Sequence, residues 1–195
     1  MTATVQARRR VLADLLPGSL LRDVVLIAGA AGLTGLAAQI AIPLPFTPVP
    51  ITLQTFSVLL AGAALGPFRG TAAMLVYMAV GSLGVPWFAS GASGFGGPTF
   101  GYVVGFVVSA AIVGALARRG ADRSVVGTIG LMVLGNLVIY AIGVPWLAGA
   151  LHLDLPVAVE KGLTPFLIGD GLKVMLATGL LPGAWRLIGS TDEAR

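Results

Sequence analysis

Six long apolar runs follow one another along this chain, and almost no charged residue lies inside them. The runs cover residues 23–42, 52–66, 70–86, 100–117, 124–146 and 164–185. A helix that crosses a bilayer needs about 20 apolar residues, so the second run is short for a full crossing. Only 10% of the 195 residues are charged, too few to cover a soluble domain. The sequence therefore predicts an all-α integral membrane protein, a single domain over residues 1–195 with six transmembrane helices in the lipid bilayer.

Basic residues predict the orientation of these spans. If the N-terminus is cytoplasmic, Lys161 is the only Lys or Arg in the outside connections, and Lys173 lies within a span. The remaining ten basic residues fall in inside segments: Arg8, Arg9, Arg10, Arg22, Arg69, Arg118, Arg119, Arg123, Arg186 and Arg195. An excess of Lys and Arg marks the cytoplasmic side, so both termini are predicted to be cytoplasmic. Residues 12–21 are then a cytoplasmic amphipathic lead-in to the first span, or alternatively part of a disordered tail.

The two outside loops at 43–51 and 87–99 contain no charged residue. The first has four prolines, which favour an extended backbone, whereas the second is rich in glycine and serine. Either loop could fold over an apolar cavity as a lid. The alternative is that both are tight turns at the membrane surface.

Away from the ends of the spans, the only charged side chains within them are Asp170 and Lys173. They lie three positions apart on one face of a helix and can neutralise each other. Charged residues inside a membrane are costly and usually functional. At 1.5 Å per residue, they lie roughly 9 and 13 Å from the outer end of the sixth span. The alternative is a buried ion pair that only orders the helices.

Uncharged polar residues also concentrate in the outer half of the bundle. Asn136 and Tyr140 form an i, i+4 pair in the fifth span, Gln54 begins the second and Tyr102 begins the fourth. A channel requires polar groups along its whole length, whereas the inner halves of these helices are apolar. We therefore predict a blind pocket that opens outward, although Asn136 and Tyr140 could instead join neighbouring helices.

Several other classes of chemistry are disfavoured. The chain has no cysteine and a single histidine, His152, which argues against thiolate or multi-histidine metal sites and against imidazole-dependent catalysis. We expect no cofactor and no enzyme activity. No basic patch with interleaved aromatic residues indicates nucleic-acid binding. The phosphate-binding motif Gly-x4-Gly-Lys-Ser/Thr is absent, so ATP-driven transport would require a partner.

The first span carries small residues at helical spacing, which allow another helix to approach closely. They are Ala28, Ala31, Gly32 and Gly35. This pattern predicts a docking surface for a partner protein, with packing inside the bundle as the alternative.

Four segments, taken in order, are similar to the BioY family of biotin-specific capture components of energy-coupling factor (ECF) transporters. They are residues 48–67 beginning Pro-Val-Pro-Ile-Thr-Leu-Gln-Thr-Phe, residues 84–89 (Gly-Val-Pro-Trp-Phe-Ala), residues 97–102 (Gly-Pro-Thr-Phe-Gly-Tyr), and residues 165–170 with Lys173. The chain departs from the family pattern at Phe100, where glycine is usual, and at Ile168, where proline is common. The 91–96 loop also lacks a basic residue found in some members.

The resemblance implies a six-helix, biotin-binding subunit of a bacterial cell membrane that works with a transmembrane coupling protein and two ATPases. It assigns recognition of the ureido head to Asp170 and Lys173. Trp87, Phe88 and Tyr102 would surround the apolar part of biotin and Gln54 would add a polar contact. Depth and polarity add Asn136 and Tyr140 as candidates, and the biotin carboxylate would lie near Ser90 and Ser93. The alternative function is a stand-alone facilitative or ion-coupled carrier for another small solute.

Overall fold

The computed structural model describes residues 10–18 and 20–193. The predicted cytoplasmic residues Arg8, Arg9 and Arg195 lie outside these ranges. The described chain is mainly helical, with helices α1 (Leu20–Gln39), α2 (Gln54–Ser82), α3 (Phe100–Arg118), α4 (Val125–Leu151), α5 (Leu155–Gly162) and α6 (Leu167–Glu193). Short 3-10 turns cover Leu12–Leu15, Ala89–Gly91, Ala121–Arg123 and Thr164–Phe166.

Five helical stretches of the described chain are long and apolar enough to cross a membrane. They are Leu20–Gln39, Gln54–Ser82, Phe100–Arg118, Val125–Leu151 and Leu155–Ile188. The count differs from the six predicted runs because runs 52–66 and 70–86 both belong to α2. The last stretch joins α5, the turn Thr164–Phe166 and most of α6, so part of the predicted outside connection 147–163 is helical.

Helix α2 folds back on itself at Gly66, which has φ 82° and interrupts the helical backbone. Gln54 and Tyr77 would be roughly 34 Å apart in a straight helix, yet the Gln54 amide nitrogen lies 2.7 Å from the Tyr77 hydroxyl. A β-carbon on Gly70 would lie 2.9 Å from the Gly62 α-carbon. The arms 54–65 and 67–82 are therefore antiparallel neighbours, and glycines allow their close approach.

The proline-rich segment after α1 forms a two-stranded antiparallel hairpin rather than an unpaired extended loop. Strand β1 (Ala41–Leu44) pairs with strand β2 (Thr47–Thr52), with Ile42 opposite Ile51 and an irregularity before Leu44. Both strands of a two-stranded sheet are edges, where proline is tolerated. The exclusively α-helical prediction therefore needs this correction. The hairpin marks one end of the bundle, called here the hairpin end.

The hairpin is fixed to α5 by two hydrogen bonds. The Thr47 hydroxyl donates to the carbonyl of Lys161 at 2.8 Å, and the Lys161 ammonium donates to the Phe46 carbonyl at 2.9 Å. The centre of the bundle consists of both arms of α2 with α3 and α4, where Tyr77, Met74 and Ile139 are fully buried. Helix α1 packs mainly on α2 and leaves its other face exposed.

The opposite end of the bundle carries a charged network. Arg69 donates to Asp14 at 2.7 Å and lies 3.0 Å from Asp23, which also pairs with Arg22. Partial burial acts to raise the pKa of Asp14, but the hydrogen bond and charge of Arg69 bring that pKa below its ordinary value. The predicted amphipathic lead-in is instead a single 3-10 turn, held by these ion pairs and by the fully buried Val11.

A second contact at this end joins the α3–α4 connection to α6. Asp122 is fully buried, and the Trp185 indole donates to its Oδ2 atom at 2.7 Å. Burial raises the pKa of Asp122, although that hydrogen bond and the charge of Arg123 oppose the shift. The guanidinium of Arg123 also lies 4.3 Å from the centre of the Trp185 ring. The arginines at this end thus take part in tertiary packing.

Candidate functional site

A pocket lies at the hairpin end, between β2, α2, α3, α4 and α6. Most of its wall is apolar or aromatic: Val49, Pro50, Phe88, Ala89, Tyr102, Val103, Phe106, Tyr140 and Phe166. The polar and charged side chains in the wall are Thr52, Gln54, Thr55, Thr99, Asp170 and Lys173.

Asp170 and Lys173 form an ion pair in the pocket wall, and it is the only one there among the residues that the structure describes. The Lys173 ammonium lies 3.1 Å from Asp170 Oδ1, with about a tenth of each side chain exposed. The ammonium also donates to the Thr55 hydroxyl at 2.8 Å, and the Tyr140 hydroxyl donates to Asp170 Oδ2. Three elements therefore hold a strongly polar pair of opposite charges against a largely apolar cavity.

The local sequence explains why this pair forms. The turn Thr164–Phe166 contains Pro165, and α6 starts directly after it at Leu167. Asp170 therefore falls in the first turn of α6, where free backbone N–H groups favour a negative charge. Lys173 follows three residues later on the same face. The i, i+3 prediction for this pair agrees with the structure.

Tyr102 stands in the pocket wall because two glycines leave room for its side chain. Its hydroxyl donates to the Gly162 carbonyl at 2.7 Å, and a β-carbon at Gly143 or Gly162 would collide with the tyrosine. Its ring also meets that of Tyr140 edge to face, with 6.4 Å between the ring centres. Tyr102 thereby links α3 to α4 and to the end of α5.

Gln54 lies in the wall with both ends of its amide already engaged by the protein. Its nitrogen donates to the Tyr77 hydroxyl at 2.7 Å, and its oxygen accepts from the Thr52 hydroxyl at 3.1 Å. Phe88 is buried beside Tyr77 and Phe100. Of the eight predicted pocket residues, the structure thus brings together Gln54, Phe88, Tyr102, Tyr140, Asp170 and Lys173.

Trp87 and Asn136 do not line this pocket. The Trp87 ring turns away from it and packs on Gly35 and Tyr77. The Trp87 indole donates to the Tyr77 carbonyl, so this side chain is structural rather than part of the apolar wall. Asn136 instead borders a small neighbouring cavity behind Lys173, and its buried amide oxygen has no hydrogen-bond partner among the described residues.

Several wall residues were not predicted from the sequence. They are Val49, Pro50, Thr52, Thr55, Ala89, Thr99, Val103, Phe106 and Phe166. Thr55 is the most informative of them, since it accepts a hydrogen bond from a lysine 118 residues further along the chain. The sequence signals for Thr55 were its position directly after Gln54 and its place in the segment 48–67, which carries the family resemblance.

The small residues proposed as a docking surface on α1 separate into two sets. Ala31 is 1% exposed and Gly35 lies against the Trp87 ring, so neither is available to a partner. Packing within the bundle accounts for these two. Ala28 is exposed, and an added β-carbon at Gly32 would meet no atom within 4 Å.

Comparison with known proteins identifies the family. A family model named BioY matches residues 4–190, nearly the whole chain. The chain belongs to the BioY family. A relative named "Probable biotin transporter BioY" from Pyrococcus horikoshii is 38% identical over 173 residues, covering 87% of this chain and 98% of that protein. "Biotin transporter BioY" from Rhodobacter capsulatus is 37% identical over 174 residues, covering 82% and 90%, respectively.

The fold of this BioY family member also resembles a solved structure. That crystal structure is of the S-component for biotin from an ECF-type ABC transporter, and the TM-score is 0.76. The likeness covers 85% of this chain and 92% of the other at 24% sequence identity. At this identity the comparison establishes a shared fold. The segments by which the sequence resembles BioY include the beginning of α2, the beginning of α3 and the beginning of α6, which all meet at the pocket.

Proposed function

We propose that this chain captures biotin in the pocket at the hairpin end and is the substrate-binding component of an ECF-type importer. The observation that carries the proposal is the buried Asp170–Lys173 pair, held by Tyr140 and Thr55 in a largely apolar cavity. Family membership, with relatives named biotin transporters, supports the same ligand.

The chemistry of biotin matches this arrangement. Its ureido head offers two N–H donors and one carbonyl, and its chain is apolar up to a terminal carboxylate. A carboxylate oxygen can accept more than one hydrogen bond, so Asp170 can receive the ureido N–H groups while it keeps its protein partners. An ammonium has three donors, and Lys173 uses two for Asp170 and Thr55, which leaves one for the ureido carbonyl.

The apolar remainder of biotin would lie against Tyr102, Phe106 and Phe166. Burial of apolar surface beside charge-assisted hydrogen bonds supports nanomolar binding, on the order of 12 kcal/mol. Ser90 and Ser93, exposed in the segment that follows Phe88, are our candidates for contact with the carboxylate.

The decisive experiment is equilibrium binding of labelled biotin to the purified chain in detergent, with other vitamins as competitors. Asp170→Asn and Lys173→Ala should each abolish measurable binding. The matched control is Asp154→Asn, since Asp154 lies between α4 and α5 outside the pocket wall. Wild-type affinity in Asp170→Asn would overturn the assigned site, and failure of the wild-type chain to bind biotin would overturn the proposed ligand.

We further propose six membrane crossings with both termini in the cytoplasm of a bacterial cell. The two antiparallel arms of α2 would count as two crossings, since the backbone reverses at Gly66. Arginines at the end opposite the hairpin support a cytoplasmic location for that end. The pocket would then open outward. Impermeant labelling of single cysteines at the hairpin and near Gly120 in intact cells would test this orientation.

Transport itself would depend on a transmembrane coupling protein and ATPases, because the sequence has no phosphate-binding motif of its own. We propose that Ala28 and Gly32 on the exposed face of α1 contact the coupling protein. Gly32→Leu should reduce biotin uptake while binding to the purified chain is unchanged. Gly130→Leu is the control, as Gly130 is exposed and, like Gly32, has no neighbouring atom within 4 Å of an added β-carbon. Uptake by vesicles that contain only this chain would favour a stand-alone carrier.

A further inference from the structure

The backbone carbonyl of Trp87 is the meeting point of three separate parts of the fold. The Gln39 amide nitrogen, at the end of α1, lies 3.2 Å from this oxygen, 3.3 Å from the Phe88 carbonyl and 3.1 Å from the Gly35 carbonyl of its own helix, so its two N–H donors are shared among three acceptors. The Tyr77 hydroxyl, on the second arm of α2, donates to the same Trp87 carbonyl at 3.1 Å. Both lone pairs of this oxygen are therefore used.

Tyr77 connects this carbonyl to the pocket wall. Its hydroxyl accepts from Gln54, a wall residue, while it donates to Trp87. The Trp87 indole returns a hydrogen bond to the Tyr77 backbone carbonyl at 3.0 Å. Tyr77 has no exposed surface, so its hydrogen bonds form in a low-dielectric environment where an unpaired polar group is costly. We call Gln39, Tyr77 and the Trp87 carbonyl the Trp87 clasp.

The segment that the clasp holds forms one side of the pocket mouth. Phe88 and Ala89 line the pocket, and the residues that follow are mostly exposed and rich in glycine with positive φ. Two hydrogen bonds fix the later part of the segment, from the Gly94 amide to the Gly81 carbonyl and from the Trp146 indole to the Gly97 carbonyl. The clasp therefore acts where the segment reaches the pocket.

We propose that Gln39 and Tyr77 are positioning residues that hold Phe88 and Ala89 against the pocket through the Trp87 carbonyl, and that they determine how often the pocket mouth opens. The role in ligand exchange rests on the proposed function, whereas the opening itself does not. Loss of one hydrogen bond from the clasp should shift the opening equilibrium by roughly twofold to tenfold.

The chain has no cysteine, so one introduced thiol can report opening without a ligand. Val103 is 5% exposed in the pocket wall on α3, and Val103→Cys would place the thiol beneath the segment. A small charged methanethiosulfonate would be used as the reagent. Its reaction rate should rise about twofold to tenfold when Gln39→Met or Tyr77→Phe is added. Thr34→Val is the matched control, since it removes a bond between α1 and α2 to Ser57 without touching the segment.

An unchanged labelling rate in both Gln39→Met and Tyr77→Phe would overturn the clasp. If the buried Tyr77→Phe variant does not fold, the exposed Gln39→Met variant decides the question. For biotin, both variants should increase the association and dissociation rates together. An increase in dissociation alone would identify a direct ligand contact and contradict the positioning role. If the wild-type chain binds no biotin, labelling still tests the clasp, so the two proposals fail separately.

Discussion

The Asp170–Lys173 pair can be tested separately for a role in stability and a role in binding. At 3.1 Å the attraction between the two charges is roughly 5 kcal/mol at an effective dielectric constant of about 20. Much of this gain offsets the desolvation of two buried ions. Removal of one partner leaves an uncompensated buried charge, at a cost of about 3–5 kcal/mol, whereas removal of both leaves none.

The perturbations are Asp170→Asn, Lys173→Met and the double variant. Thermal unfolding of each variant in detergent should show a marked loss of stability for both single substitutions and recovery of most of that loss in the double variant. Equilibrium binding should show no measurable biotin affinity in any of the three. A stable double variant without binding would separate recognition from helix ordering.

Two results would refute this reasoning. If the double variant bound biotin with nearly wild-type affinity, the pair would serve only to order α6, which is the alternative weighed from the sequence. If the single variants unfolded at the wild-type temperature, the charges would be better solvated than their burial of about nine-tenths implies. In the first case ligand recognition would have to be reassigned to the uncharged residues of the pocket wall, and in the second the stability argument alone would fail.

Three further predictions concern other parts of the bundle. Tyr140→Phe removes the hydroxyl that donates to the pocket carboxylate, and biotin affinity measured by titration should fall about tenfold or more, as expected for a hydrogen bond to a charged group. Gly66→Ala forces a side chain into φ 82° and ψ 179°, a region that essentially only glycine adopts, and should cost about 1–3 kcal/mol, visible as a lower unfolding temperature, whereas Gly32→Ala on the open face of α1 should not. Asp14 has a lowered pKa, so its pairing with Arg69 should stabilise the fold at neutral pH, and this stabilisation should be lost below about pH 4. In unfolding measurements at a series of pH values, Asp14→Asn should therefore remove this part of the loss of stability in acid.

The sequence alone determined the features that depend on solvent and on local spacing. Apolar runs predicted where the long helices that could cross a membrane lie, and the rarity of charge drew attention to Asp170 and Lys173. Their i, i+3 spacing predicted the ion pair that the structure contains. These properties follow from helix geometry and from the cost of charge in lipid, which act within a few residues of each other.

Tertiary structure decided which side chains face the pocket. In a soluble helix an apolar stripe identifies the buried face, but here buried and lipid-facing residues are both apolar. The sequence therefore could not show that Trp87 turns toward Gly35, that Asn136 lies behind Lys173, or that Thr55 contacts Lys173 across 118 residues. These positions depend on contacts between helices that are distant in the chain, and those contacts arise only when the bundle packs.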